Sequence, residues 1–195
     1  MPSPRCLALI IVLVAICSLL PQVTLAAENN IITFQSLDSA DRTVMFTSSV
    51  GKEELPTISV PAGQSVDVVL PHGWIGNYLA VVDGEHHVPG SGVIGEVAFN
   101  AFEDKTYFDV SAIDDPGDEH GIRMLWPAGE DGNTSGCWVE FPCGNAYTES
   151  GDKQTRVTAE KHLIAMLGRP PAREEEDDVA GGDRDGFGRE GLGDS

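Results

Sequence analysis

Short stretches of alternating apolar and polar residues run through the chain from about residue 31 to residue 127. Ile31–Gln35, Arg42–Thr47, Thr57–Val60, Gln64–Leu70, Tyr78–Val82 and Ile122–Trp126 each read as a strand. Gly, Pro and Asp separate them, as at Asp38–Asp41, Pro61-Ala62-Gly63 and Asp83-Gly84. Pro71–Asn77 reads as an irregular, Gly-rich loop, with Trp74 either presented to solvent as a stacking surface or folded back over the core. Strands this short and this regularly spaced predict an all-β sandwich or barrel. Leu163–Leu167 is ambiguous from periodicity, because Leu163, Ile164 and Leu167 also have helical spacing ahead of Gly168 and Pro170.

The clearest alternation lies in Val93–Phe99 and Lys105–Asp114. Val93, Val97 and Phe99 fall on one face and Glu96 on the other. Phe108, Val110 and Ala112 share a face, opposite Tyr107, Asp109 and Ser111. Asn100–Asp104 between them is a plausible hairpin loop. Setting apolar against apolar pairs Val97 with Phe108 and Val93 with Ala112. Glu96 then faces Asp109 on the wet side. Cross-strand partners sit roughly 5 Å apart at Cβ, where like charges repel. A cation, a proton or a ligand would offset that repulsion. Two solvated acids screened by salt would give the same pattern, and that arrangement is commoner.

The ends of the chain change the picture. Leu7–Leu20 is an apolar run too short to span a membrane. With Arg5 before it and Thr24-Leu25-Ala26 after it, it reads as a secretory signal peptide over 1–26. A β-domain over 27–168 and a disordered acidic tail over 169–195, with Glu174–Asp178 as a block of like charge, complete the organisation. Without an apolar C-terminal run, a lipid anchor is not expected. The product is expected to be extracellular or held in a cell wall, as a monomer, with no membrane partner.

The net charge is −19. Phosphate binding needs clustered Lys and Arg, and Lys52, Lys105, Arg123, Lys153, Arg156 and Lys161 are scattered. Nucleic acid is therefore not an expected partner, whereas cations, neutral sugars or basic proteins are compatible. Beyond the leader only Cys137 and Cys143 remain, and in an oxidising compartment they predict a disulfide. Their spacing matches no zinc site, and no cofactor or metal is expected. Asp114, Asp115, Asp118 and Glu119 form an oxygen-rich loop of the kind calcium favours, but Pro116 and Gly117 break the ligand spacing. A solvated acidic turn is the simpler account. Asn133-Thr134-Ser135 fits the N-glycosylation pattern.

Taken in order, "GWIGN" (Gly73–Asn77), "GEVAF" (Gly95–Phe99), "TYFDVSAID" (Thr106–Asp114) and "GCWVEFPCGNAY" (Gly136–Tyr147) resemble the thaumatin-like proteins. The resemblance is to their small secreted fungal members, some of which are described as antigenic thaumatin-like domain proteins. It implies a β-sandwich over roughly Ile31–Gly168 with an acidic groove on one face that binds β-1,3-glucan. Glu96, Asp109 and Asp114 stand at the family's acidic positions, and Trp74, Asn77 and Tyr107 would complete the groove. The family's extended C-terminal segment favours a strand at Leu163–Leu167. The family's Arg near the Trp loop, its second lobe and most of its disulfides are absent here. Those departures weaken hydrolysis more than binding.

If the protein were a glucanase, Glu96 and Asp109 would be its catalytic pair. A retaining mechanism needs carboxyl groups about 5 Å apart and an inverting one about 6.5–9.5 Å, for which Glu96 and Asp114 are the candidates. Some fungal relatives carry a DNase-type name. The acidic field and the isolated His72, His120 and His162 argue against a nuclease. The expected function is binding of β-glucan or another cell-wall polysaccharide. The alternatives are weak endo-β-1,3-glucanase activity and an adhesin- or antigen-type module that meets an extracellular or host protein.

Overall fold

The computed structural model describes residues 29–169. The expected signal peptide and almost all of the expected acidic tail lie outside the described residues. Between them the chain forms an all-β sandwich of two sheets. One sheet contains β1 (Asn30–Ser36), β4 (Ser65–Leu70), β8 (Ile122–Pro127), β9 (Ser135–Gly136) and β11 (His162–Leu167), in the order β4-β1-β11-β8-β9. The other contains β2 (Arg42–Ser48), β3 (Ile58–Val60), β5 (Ile75–Val82), β6 (Ile94–Ala98), β7 (Thr106–Ser111) and β10 (Arg156–Thr158), in the order β10-β7-β6-β5-β2-β3.

Leu163–Leu167 is a strand, as the family resemblance implies. It runs parallel to β1, with Phe34 opposite Ala165, and antiparallel to β8, with Ala165 opposite Leu125. Leu163, Ala165 and Leu167 point into the core at a period of two. Two partner strands satisfy the backbone of β11, and a helix over so few residues would forfeit both ladders. The first and last described strands thus pair with each other inside the first sheet, whose edges are β4 and β9.

The inner faces meet in a core that includes Ile32, Phe34, Val44, Tyr78, Val97, Phe108, Val110, Leu125 and Leu163. Aromatic rings pack edge to face at one end. Phe34 lies 5.1 Å from Tyr78, and Phe46 lies 6.1 Å from Trp74. Such pairs add about 0.5–1.5 kcal/mol to the burial itself.

The Gly73–Asn77 stretch is not the irregular loop expected from its glycines. β5 begins at Ile75, and Trp74 is 1% exposed. Its indole Nε1 donates to Ser48 Oγ (3.2 Å) and to the Glu53 carbonyl (3.1 Å). Gly76 lets the indole fold back, since a Cβ there would come within 2.4 Å of the Thr47 carbonyl and 2.7 Å of the Trp74 ring. The glycine that suggested a loop is what allows the ring to be buried. The two short strands β9 and β10 have no counterpart among the predicted elements.

The predicted disulfide is present between Cys137 and Cys143, whose Cα atoms are 6.0 Å apart. Asn133 is half-buried, and its Nδ2 donates to Glu130 Oε2 (2.7 Å) and to the Val157 carbonyl (3.0 Å). Among the described residues no helix is long and apolar enough to cross a membrane.

Candidate functional site

The β6–β7 hairpin adopts the register that the hydrophobic pattern predicts. Val97 faces Phe108, and Glu96 faces Asp109. Because the side-chain period is two, placing Val97, Phe108 and Val110 in the core fixes Glu96 and Asp109 on the opposite face. β5 adds Asn77 opposite Glu96, and Thr47 of β2 faces Asn77 in turn. One row of polar side chains therefore crosses the sheet.

Around this row lies an open groove of about 280 Å³, lined by Asn77, Glu96, Tyr107, Asp109, Thr155 and Ser49 among others. Four of the expected site residues, Asn77, Glu96, Tyr107 and Asp109, come together there. Two do not. Trp74 faces the core, as described above. Asp114 is exposed and lies outside the groove, because β7 ends at Ser111 and the chain turns away before Asp114. Tyr147 bridges to Ser111 and its amide bonds the Val110 carbonyl, so the strand gains another neighbour where it ends.

Asp109 is not a solvated acid. It is 7% exposed, held between Glu96 and the β10 edge. Thr155 Oγ1 donates to its Oδ2 at 3.1 Å, and Tyr147 Oη is 2.9 Å from the same hydroxyl. Its Oδ1 has no hydrogen-bond partner among the described residues. Burial first, and then the charge of Glu96 across the ladder, push the Asp109 carboxyl up to about 7. The Thr155 hydroxyl opposes this only in part. Near neutral pH the Asp109 carboxyl therefore still holds its proton in part of the molecules.

Gly95 brings the groove floor close to the core. A Cβ at Gly95 would stand 2.5 Å from the Tyr78 ring, so the ring lies directly beneath the strand that carries Glu96. The Tyr78 hydroxyl is buried without a partner among the described residues. Burial, and then the charge of Asp109, hold that phenol protonated well above its ordinary range.

Thr155 and Tyr147 belong to the site but were not predicted. Thr155 follows a polar stretch with no alternation, and only the pairing of Arg156 with Phe108 brings it beside Asp109. No signal in the sequence locates that pairing.

A larger cavity of about 400 Å³ lies where His86, His87 and His120 meet Asp115 and Asp118. Asp115 and Asp118 are committed to neighbouring groups of the loops. Asp118 accepts from the amides of Val93, His120 and Gly121, and Asp115 accepts from Ser91 Oγ and the Gly117 amide. Among the described residues no three His, Cys, Asp or Glu side chains form a group able to hold a metal ion.

No protein-family model matches the chain. Among solved structures, the protein elicitor MoHrip2 from Magnaporthe oryzae superposes with a TM-score of 0.54 at 13% identity. The match covers 71% of this chain and 98% of that one, and it is a likeness of fold. In sequence the chain is similar to the antigenic protein SchS21 of Stachybotrys chartarum. The two are 42% identical over 137 residues, which span 70% of this chain and 93% of the relative. With that identity over almost the whole of the relative, this chain belongs to the family of antigenic protein SchS21.

Proposed function

We propose that this protein is a secreted carbohydrate-binding protein that holds β-glucan, or another neutral cell-wall polysaccharide, across the Glu96–Asp109 groove. The observation that carries this is the buried Asp109, set directly opposite Glu96 at the floor of an open groove, with its carboxyl pushed up to about 7. Such a pair offers one donor and several acceptors while carrying a single negative charge. Asn77, Tyr107 and Thr155 add further hydrogen-bonding groups around it. That set suits the hydroxyls of a neutral sugar chain. The net charge of −19 disfavours a polyanion. The thaumatin-like character of the sandwich belongs to the same proposal, resting on the Gly73–Asn77, Gly95–Phe99 and Thr106–Asp114 motifs. An extracellular location is supported by the leader-like N-terminus and by the words "antigenic" and "elicitor" in the names of the relatives.

Binding is favoured over the inverting form of hydrolysis, which needs two carboxyls about 6.5–9.5 Å apart. Asp114, the partner an inverting pair would require, lies outside the groove. The names of the relatives favour a second reading, a module that meets an extracellular or host protein.

Co-sedimentation with insoluble β-1,3-glucan, read together with release of reducing ends, tests these readings. Wild type is retained without releasing sugar, and Glu96→Ala, with unchanged melting, is not. Absence of wild-type retention overturns the carbohydrate reading and leaves the protein-partner reading. Sugar release that Glu96→Ala or Asp109→Asn abolishes would make the protein a glucanase.

A further inference from the structure

The groove is lined by two rows of side chains. The row that crosses the sheet through Asn77, Glu96 and Asp109 is polar. A second row runs beside it on the same face. Ile75 of β5 faces Ala98 of β6, Ala98 faces Tyr107 of β7, and Tyr107 faces Val157 of β10. Side chains two residues apart on a strand share a face, so Ile75, Ala98 and Tyr107 stand next to Asn77, Glu96 and Asp109 in turn. Ile75, Ala98 and Tyr107 line the same groove as the acids. The row on the other side of the acids, Met45, Leu79, Ile94 and Ser111, does not. The groove is therefore amphipathic across its width. One side offers an amide and two carboxyls, and the other offers a tyrosine ring with aliphatic neighbours.

The apolar row is accessible. Ile75, Ala98 and Tyr107 are half-buried, and Val157 at the β10 end is 46% exposed. Ala98 contributes only a methyl group between Ile75 and Tyr107, so the middle of the row is low. Neighbouring strands lie about 4.8 Å apart, so the row from β5 to β10 spans about 14 Å, the length of roughly three pyranose rings joined end to end. Two residues along a strand separate the rows by about 6.8 Å, comparable to the width of one such ring with its hydroxyls.

A glucose-type ring has the matching asymmetry. Its hydroxyls lie around the edge, and its two faces present C–H groups. Laid across both rows, it sets a C–H face on the apolar side and its hydroxyl edge against Glu96 and Asp109. A tyrosine ring supplies the flat apolar contact that the carboxyls cannot.

We propose that Tyr107, with Ala98 and Ile75, is the platform on which the C–H faces of about three consecutive glucose-type rings lie, so that the glycan chain runs across the strands from β5 to β10. This rests on the carbohydrate reading above and gives it a direction, a length and a stacking residue.

Calorimetric titration with a ladder of β-1,3-glucan oligosaccharides, from the disaccharide to the hexasaccharide, tests it. Wild-type affinity rises steeply up to about the trisaccharide and then levels off. Tyr107→Ala and Ala98→Gln, each with unchanged melting, bind the longer oligosaccharides about tenfold more weakly. Tyr107→Phe, which restores the ring without the hydroxyl, recovers most of that loss. Equal weakening in Tyr107→Phe and Tyr107→Ala would make the hydroxyl the contact and overturn the stacking. Affinity that is already full at the disaccharide would overturn the chain direction. Wild-type affinity in both Tyr107→Ala and Ala98→Gln, with loss in Glu96→Ala, overturns the inference and leaves the groove reading standing. Absence of wild-type binding to every member of the ladder overturns both.

Discussion

Asp109 lies directly across the β6–β7 ladder from Glu96, nine-tenths buried, with one carboxyl oxygen held by Thr155 and the other without a partner among the described residues. Two acids in register repel one another. Here the repulsion is relieved by a proton that Asp109 keeps to about pH 7. This relationship governs both the stability of the fold and the chemistry of the groove.

Stability should depend on pH through Asp109. Its pKa is raised from an unfolded value near 3.8 to about 7 in the folded protein. Between those values the folded state holds a proton that the unfolded state has released. The stabilisation is therefore complete below the unfolded pKa and declines as pH rises toward 7, by up to about 1.4 kcal/mol per pH unit from this group. Asp109→Asn should flatten that decline and make the protein more stable than wild type at pH 8. Urea melts at pH 5 and pH 8 for both proteins measure it. A wild type equally stable at both pH values, with no gain in the variant, would show that the pair does not hold the proton.

Tyr78→Phe should not weaken the fold. The hydroxyl it removes is buried and has no partner, so the wild type bears its desolvation cost without the return of a hydrogen bond. The ring contacts with Phe34 and Phe46 remain. A stability equal to wild type, or higher by about 1 kcal/mol, is expected from chemical denaturation. A loss of more than about 1 kcal/mol would mean that the hydroxyl is hydrogen-bonded.

Gly95→Ala should destabilise the hairpin by about 1–3 kcal/mol, the range for overpacking a filled core. The added methyl would meet the Tyr78 ring at 2.5 Å, inside any normal contact. The double variant Gly95→Ala/Tyr78→Ala should show coupling between the two sites, because the shortened side chain removes the clash. Strictly additive losses would mean that the ring does not lie under Gly95.

The hairpin was legible in the sequence because one register alone buries Val97, Phe108 and Val110 together, and that register fixes Glu96 opposite Asp109. The strand at Leu163–Leu167 was not settled by its own periodicity. Its parallel pairing with β1, more than a hundred residues away in sequence, decides it. The glycines around Trp74 left both an exposed and a folded-back ring open, and its burial depends on Ser48, Glu53 and the space above Gly76. Asp114 entered through the family resemblance and not through the strand pattern, and β7 stops at Ser111, short of it. Thr155 and Tyr147 come from polar segments placed by long-range contacts, which carry no local pattern.

The central claim is that a cross-strand acid pair holding one proton forms the floor of a glycan-binding groove. Retention on insoluble β-1,3-glucan as a function of pH, for wild type and Asp109→Asn, tests it most directly. Wild type should bind well at pH 5 and weaken as pH rises through about 7, where the pair loses its donor and gains a second charge. Asp109→Asn, which keeps a neutral donor there at every pH, should bind with little dependence on pH. Parallel profiles for the two proteins, or no retention of wild type at pH 5, would contradict the account.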